Sequence, residues 1–483
     1  MKTIKIYIFF SILALTLASF VGCKKDAVHN SLTVDNYSLT FQGIGGSISI
    51  SLNTDAASWT ISSKSNWLQL SQTSGNKGRA SITVTALLNP GSGSRSDTIT
   101  LSAGNSSSIQ IPVLQKGSLY PNYNASPIAP DASGMSDNAT QIAAKIKLGW
   151  NIGNTLEAIG IDGETAWGNP LITQAFVDFV KASGFNAIRL PCSWNQHSNS
   201  ATALIDPIWL ARVKQVVQYC VNDNMYVLLN IHWDGGWLEN NCTEAKQDSV
   251  NAKQLAFWQQ IATCLRDFDE HLLFASANEP SVSDATGMSV LNSYHQTFIN
   301  AVRSTGGRNS YRVLVVQGPS TDITLTSQLM MLPIDTIPSH MMVEVHYYTP
   351  YNFCGLTSDA AWGNMFYYWG KDYHSTTDIT RNATCCEEGT VDTNMKLMNT
   401  LFVNNKIPVI LGEFTAVRRT NLTGDSLTLH LASRAHFIKY VTQQAKANGI
   451  LPFFWDTGGV LDRNNCTVLD QQALDALIQG YAK

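Results

Sequence analysis

Two short phrases carry the most chemistry in this chain: Ser276-Ala277-Asn278-Glu279-Pro280 and Val409-Ile410-Leu411-Gly412-Glu413-Phe414. Each follows an apolar run of buried-strand character, and each sets one glutamate where that run ends. Two carboxyl groups on one rim are the minimum equipment for hydrolysing a glycosidic bond. One protonates the leaving oxygen, and the other attacks the sugar or activates water. For Glu279 and Glu413 to share a substrate, the strands that carry them must open on the same rim.

Further polar and aromatic side chains stand at comparable positions. Arg189 lies in Ile188-Arg189-Leu190-Pro191, and His232 and Trp233 in Asn230-Ile231-His232-Trp233-Asp234. His346, Tyr347 and Tyr348 follow another apolar run, and Trp455 closes the last one. Eight runs read as strands: 148–151, 187–191, 226–231, 272–277, 312–316, 341–346, 408–411 and 451–455. Between them lie helix-like stretches at 171–183, 207–222, 249–267, 289–304, 394–404, 427–447 and 470–481. Alternation of this kind predicts an α/β fold, a (β/α)8 TIM barrel over residues 136–483, whose chemistry sits at the C-terminal ends of the strands. Residues 350–393 form the longest gap, rich in Tyr, Trp and Gly, and are expected to shape a substrate groove.

The ordered set Gly149-Trp150-Asn151-Ile152-Gly153-Asn154-Thr155, Arg189, His232, Asn278-Glu279-Pro280, His346-x-Tyr348, Gly412-Glu413-Phe414 and Trp455 strongly resembles glycoside hydrolase family 5 of clan A. The resemblance covers the whole barrel region. It implies a retaining mechanism with Glu279 as acid/base and Glu413 as nucleophile, and no metal or organic cofactor. Physical chemistry supports that division. Arg189 can keep Glu413 ionised by charge pairing, and Tyr348 can hydrogen-bond it. A second carboxylate nearby is expected to raise the pKa of Glu279, so that it holds its proton. Asn278 is placed for the sugar 2-hydroxyl, and His232 and His346 for hydroxyls or for orienting the carboxylates. Trp455 would floor the cleaved sugar. Trp233, Trp237 and Trp362 are groove candidates, while Trp150 and Trp194 fit core or groove equally. Glu157, Glu164, Glu239 and Glu344 are acidic rivals; Glu344, two residues before His346 on one strand, points into the same interior as a partner of the site.

Segments 149–155, 192–195 and 346–353 look closest to the broad-specificity endoglucanase and xyloglucanase branch. Trp233 departs from the second histidine that many members carry. The resemblance therefore implies a retaining endo-β-1,4-glucanase acting on cellulose-like, mixed-linkage or xyloglucan polysaccharides. A xyloglucan-specific endoglucanase and then a β-mannanase are the alternatives among enzymes. A surface glycan-binding protein is the alternative outside them, and retention of both glutamates argues against it.

The 483 residues are 44% hydrophobic with a net charge of -4 and show no basic patch, which argues against a nucleic-acid partner. Residues 1–22 read as a lipoprotein signal peptide, with Lys2 and Lys5 before an apolar stretch. Phe20-Val21-Gly22-Cys23 resembles a lipobox, so Cys23 is expected to be lipidated and the protein exported to a bacterial membrane, the outer one by expectation. Residues 23–117 alternate apolar and polar positions as in a small β-sandwich. Trp59-x-Ile61, Trp67, Ser74-Gly75, Asn89, Arg95 and Val113-Leu114-Gln115-Lys116-Gly117 resemble a BACON domain, read as a spacer in preference to a sugar-binding module. Residues 118–135, with Pro121, Pro127 and Pro130, read as a linker. The cysteines lack the C-x-x-C spacing of a zinc site. Cys192, Cys220 and Cys264 fall on core patterns as buried thiols; Cys242, Cys354, Cys385, Cys386 and Cys466 sit in loop-like contexts as disulfide candidates. A monomer is expected.

Overall fold

The computed structural model describes residues 29–482. Residues 1–22, where a signal peptide is expected, and Cys23 lie outside the described residues. Two compact units are present: one holds the described residues up to Thr40 with Ser47–Leu87 and Ser96–Leu114, the other the residues from Gln115 onward with Phe41–Gly46 and Leu88–Arg95.

The first unit is built from β1 (Leu32–Val34), β2 (Leu39–Phe41), β3 (Gly46–Ser62), β4 (Leu68–Leu70), β5 (Ser74–Ala86), β6 (Arg95–Ala103) and β7 (Ile109–Gln115). Pairing runs β2-β7-β6-β3-β5-β4, with β1 against β3. The alternation read from the sequence is real. Ile50, Leu52, Ile61, Ile82, Val84, Ile99, Leu101, Ile111 and Val113 are buried, while their neighbours along each strand are largely exposed or half-buried.

Residues 118–135 are not a free linker. Within them β8 (Ile128–Pro130) pairs parallel with β13 (Gly306–Gly307). Tyr123 donates its hydroxyl to the Thr202 carbonyl at 2.7 Å, and Asn124 Nδ2 donates to the Ser304 carbonyl at 2.8 Å. The proline content signals extended backbone, but extended backbone with free peptide groups can also bind an existing edge.

Eight parallel strands close the barrel: β9 (Gly149–Ile152), β10 (Ala187–Leu190), β11 (Tyr226–Asn230), β12 (Leu272–Ala275), β14 (Leu314–Gln317), β15 (Met341–Tyr347), β16 (Val409–Phe414) and β17 (Ile450–Asp456). All eight expected strands are present. Outward residues such as Ile188, Leu190, Leu229, Phe274 and Val343 pack in the cluster that also holds helix residues. Inward residues such as Leu228, Leu273, Val315, Met342, Ile410 and Phe453 fill the interior, joined by Ile142 and Ile146 from and just after the helix Ala139–Lys145. One step further along each strand, the residues of the same parity turn polar: Asn151, Arg189, Asn230, Gln317 and Glu344, all buried. The apolar layers carry the fold, and the polar layer at the C-terminal end carries the site.

Two unforeseen helices, Ile323–Leu329 between β14 and β15 and Tyr351–Cys354 after β15, are present, and the helix expected from 394 begins at Glu388. The cysteine expectations need correction. All eight described cysteines are free thiols, and Cys242 and Cys354 are buried rather than in open loops. The Cys242 thiol sits against the Leu238 and Glu239 carbonyls, so its short helical turn is a packed corner. Cys264 is half-buried, and Cys385 and Cys386 bring their Sγ atoms to 2.8 Å.

Candidate active site

Glu413 reaches the barrel interior because β16 is irregular. Inward parity through Ile410 would turn Glu413 outward with Leu411. The register shifts against β15 between Val345 and His346, and against β17 between Leu411 and Phe414. That slip aligns Glu413 with His346 and brings its carboxylate inside.

Both oxygens of Glu413 are claimed. Arg189 Nη1 donates to Oε1 and the Tyr348 hydroxyl donates to Oε2, each at 2.7 Å. Arg189 is fully buried and divides its remaining donors among Glu344 Oε1 at 2.8 Å, Asn151 Oδ1 at 3.1 Å and Asn278 Oδ1 at 2.7 Å. A guanidinium spent on three strands and a rim loop fixes the geometry of them all.

Glu279 follows β12, and its side chain is 43% exposed, open to the cleft. Its backbone N–H donates to Glu239 Oε1 at 2.7 Å, and its Oε1 meets His346 Nδ1 at 2.6 Å. One carboxylate oxygen from Glu279, one from Glu413 and a ring nitrogen of His346 all lie within 4.8 Å of one another. This closeness suits a direct nucleophile better than an intervening water, since retaining pairs stand about 5–5.5 Å apart and inverting pairs about 6.5–9.5 Å.

The proton is not where the sequence argument put it. Burial alone would raise the Glu279 pKa, but the hydrogen bond and charge of His346, with the charge of Arg189, bring it below the usual glutamate value. Burial alone would lower His346, but Glu413, Glu279 and Glu344 raise it to about 10. The two shifts are opposite in sign and favour the imidazole side of the Glu279–His346 pair for the shared proton.

His232 is held neutral: burial, Arg189 and His346 all push its pKa well below the ordinary value. Its Nδ1 meets Asn230 Nδ2 at 3.2 Å, and its ring lies nearly parallel to Trp455, 5.8 Å between centroids. Trp455 lines a cleft of about 710 Å³ with Glu279, Glu413, Tyr348, Tyr351 and Asp456. Trp233 and Trp362 stand exposed on rim loops beyond this cleft wall. Trp237 is half-buried and engaged by the protein: its indole N–H donates to Asp234 at 2.8 Å, its ring meets Phe257 edge-on, and Lys253 lies over it. Trp150 and Trp194 are core. Sequence reasoning missed Gln317, whose place at the end of β14 was the available signal.

A family model described as cellulase (glycosyl hydrolase family 5) matches residues 152–459, and one described as a viral BACON domain matches residues 31–118. The chain belongs to glycoside hydrolase family 5. A xyloglucan-specific endo-β-1,4-glucanase of Bacteroides ovatus is 34% identical over 97% of this chain and 95% of its own. The structure of a Bacteroides ovatus family 5 xyloglucanase with a XXXG heptasaccharide superposes with a TM-score of 0.70 at 33% identity, covering 94% of this chain and 100% of that one. A xyloglucan-specific β-1,4-glucanase from a ruminal metagenomic library, in complex with XXLG, gives a TM-score of 0.66 at 42% identity over 72% of this chain and 96% of its own. Family 5 enzymes are retaining glycoside hydrolases. The close approach of Glu279 and Glu413 is the arrangement a retaining family needs.

Proposed function

We propose that this family 5 hydrolase is a retaining endo-β-1,4-glucanase in which Glu413 is the nucleophile and Glu279 the acid/base. The observation that carries the assignment is the double hold on Glu413 by Arg189 and Tyr348, with a Glu279 oxygen no more than 4.8 Å away. A Glu413 oxygen attacks the anomeric carbon as its bond to the leaving oxygen breaks. The proton held by the Glu279–His346 pair passes through Glu279 to that oxygen. In the second step Glu279 takes a proton from water, the hydroxide forms the new bond to the anomeric carbon, and Glu413 leaves as carboxylate. Asn278 Oδ1 accepts a hydrogen bond from Arg189 Nη2, which leaves its amide nitrogen for acceptors and fits a role at the 2-hydroxyl. Neutral His232, with Nδ1 against Asn230, has Nε2 free to donate to a sugar hydroxyl above Trp455.

Xyloglucan is the substrate we place first among the β-1,4-glucans, since a relative matched over nearly the whole chain is a xyloglucan-specific endo-β-1,4-glucanase and a structure matched as fully is a xyloglucanase. New reducing ends from xyloglucan, barley β-glucan, carboxymethylcellulose and mannan test this, with Glu279→Gln as blank. Release from glucans and none from mannan is expected; mannan cleavage alone would overturn the substrate, and no release from any would overturn the enzyme.

We further propose export as a monomeric lipoprotein anchored through Cys23, with the N-terminal unit as a spacer. Support for the spacer is that, among the described residues of that unit, Trp59 and Trp67 are buried and Tyr37 is the exposed aromatic. Intact-mass analysis of membrane-extracted protein should show a diacylglyceryl-modified Cys23 that Cys23→Ala lacks. An unmodified wild-type protein in the soluble fraction would refute the anchor.

A further inference from the structure

Beneath the two glutamates lies a third carboxylate that the hydrolytic steps do not use. Glu344 is fully buried on β15. Every near partner of its carboxylate is a donor. Oε1 receives Arg189 Nε at 2.8 Å and faces His346 Nε2 at 3.3 Å; Oε2 receives Gln317 Nε2 at 2.6 Å. The orientation of the Gln317 amide is not arbitrary, because its Oε1 accepts the Ala277 backbone N–H at 2.8 Å. That leaves its nitrogen for Glu344. A carboxyl surrounded by donors on both oxygens is an ionised one.

The chain also clears space for this group. A Cβ on Gly412 would lie 2.0 Å from Glu344 Oε1. The residue before Glu413 is thus glycine because the carboxylate of Glu344 occupies the place a side chain would take. Gln317 joins two halves of the site: one end holds the backbone two residues before Glu279, the other holds Glu344.

We infer that Glu344, fixed by Gln317, is a positioning residue that keeps a proton on the Glu279–His346 pair and so sets the pH range of catalysis. The inference rests on Glu279 and Glu413 being the catalytic pair. His346 Nε2 points at Glu344, so the proton it shares with Glu279 is on Nδ1, 2.6 Å from the acid/base oxygen. The charged and titratable groups around the pair are Arg189 from β10, His232 after β11, Glu239 below Glu279, Tyr348 beyond β15, Glu413 from β16 and Glu344 itself. Two cations, Arg189 and His346, then sit among Glu279, Glu344 and Glu413. Without the charge of Glu344, the proton of the pair leaves more easily, whichever atom holds it.

The test is the pH profile of kcat/KM on a soluble aryl β-cellobioside. Glu344→Gln keeps the size and removes the charge. Its alkaline limb is expected to move to lower pH by about one unit or more. KM is expected to change less than kcat. Glu344→Asp, which keeps the charge, should return the limb toward wild type. Gln317→Met takes one donor from Glu344 and loosens its hold beside the pair, so the alkaline limb is expected to move the same way as in Glu344→Gln, by less. Limbs that superpose on wild type in Glu344→Gln, or in Gln317→Met if the first variant does not fold, would overturn the inference. Glu413→Ala runs alongside. If it stays active, the catalytic assignment itself has failed; if it is dead while the limbs do not move, the role of Glu344 alone has failed.

Discussion

The two donors on Glu413 can be removed one at a time. Tyr348→Phe leaves the guanidinium in place and takes away one charge-assisted hydrogen bond, worth about 1.5–3 kcal/mol. If the bond strengthens the site chiefly in the transition state, kcat falls by about 10- to 100-fold with little change in KM, read from steady-state kinetics. An unchanged kcat would show that Arg189 alone orients the nucleophile. Glu413→Ala should cost about ten-thousand-fold or more, with azide restoring turnover in place of the carboxylate. At this scale the sequence was legible where residues end strands. Glu279, Arg189, His232, His346, Tyr348 and Trp455 gather where strand parity puts them, and Glu413 joins them through the slip in β16. The proton's location was not legible. It depends on His346 lying 2.6 Å from a glutamate that sequence places far away, and on Glu344 behind it.

The strands were legible because each has apolar residues of both parities, as a barrel strand buried on both faces requires. The irregularity in β16 was not, since Val409-Ile410-Leu411-Gly412-Glu413-Phe414 reads as regular until the register against its neighbours is known. The strap made by β8 was hidden for a similar reason: its partner is a two-residue strand of glycines. Gly306 has φ +71°, and a Cβ there would lie 1.8 Å from the Ile128 carbonyl oxygen. Gly306→Ala must therefore break the pairing or adopt a strained backbone. It is expected to destabilise by about 1–3 kcal/mol, seen as a lower melting temperature, with the pH profile unchanged. A melting temperature equal to wild type would mean that the strap adds nothing to stability.

Across the molecule, several buried groups keep protons that an unfolded chain would release at alkaline pH. His346 is raised to about 10, against burial, by its carboxylate neighbours, and burial pushes the Cys192, Cys220 and Cys354 thiols above their usual range. For such groups stability is fully present below the unfolded pKa and is lost as pH rises toward the folded one. Between pH 7 and 9 the unfolded state therefore binds fewer protons, and each such difference costs about 1.4 kcal/mol per pH unit. The melting temperature should fall steadily over that window, with a shallower fall in Cys220→Ala between pH 8 and 9. A flat profile would refute the protonation states given to these groups. The division into an all-β unit and a barrel was visible in the switch of hydrophobic period. The docking of residues 118–135 along the barrel was not, because it rests on backbone hydrogen bonds that leave no mark on side-chain pattern.

The central claim is that Glu413 forms a bond to the sugar. A 2-deoxy-2-fluoro aryl β-cellobioside slows the second step more than the first and lets the glycosyl-enzyme accumulate. Proteolysis and mass spectrometry of the inactivated protein would then locate the adduct. An ester on the peptide carrying Glu413, absent in Glu413→Ala, is the predicted result. An adduct on Glu279 or Glu344, or steady turnover of natural glucan with no adduct on Glu413, would contradict the account.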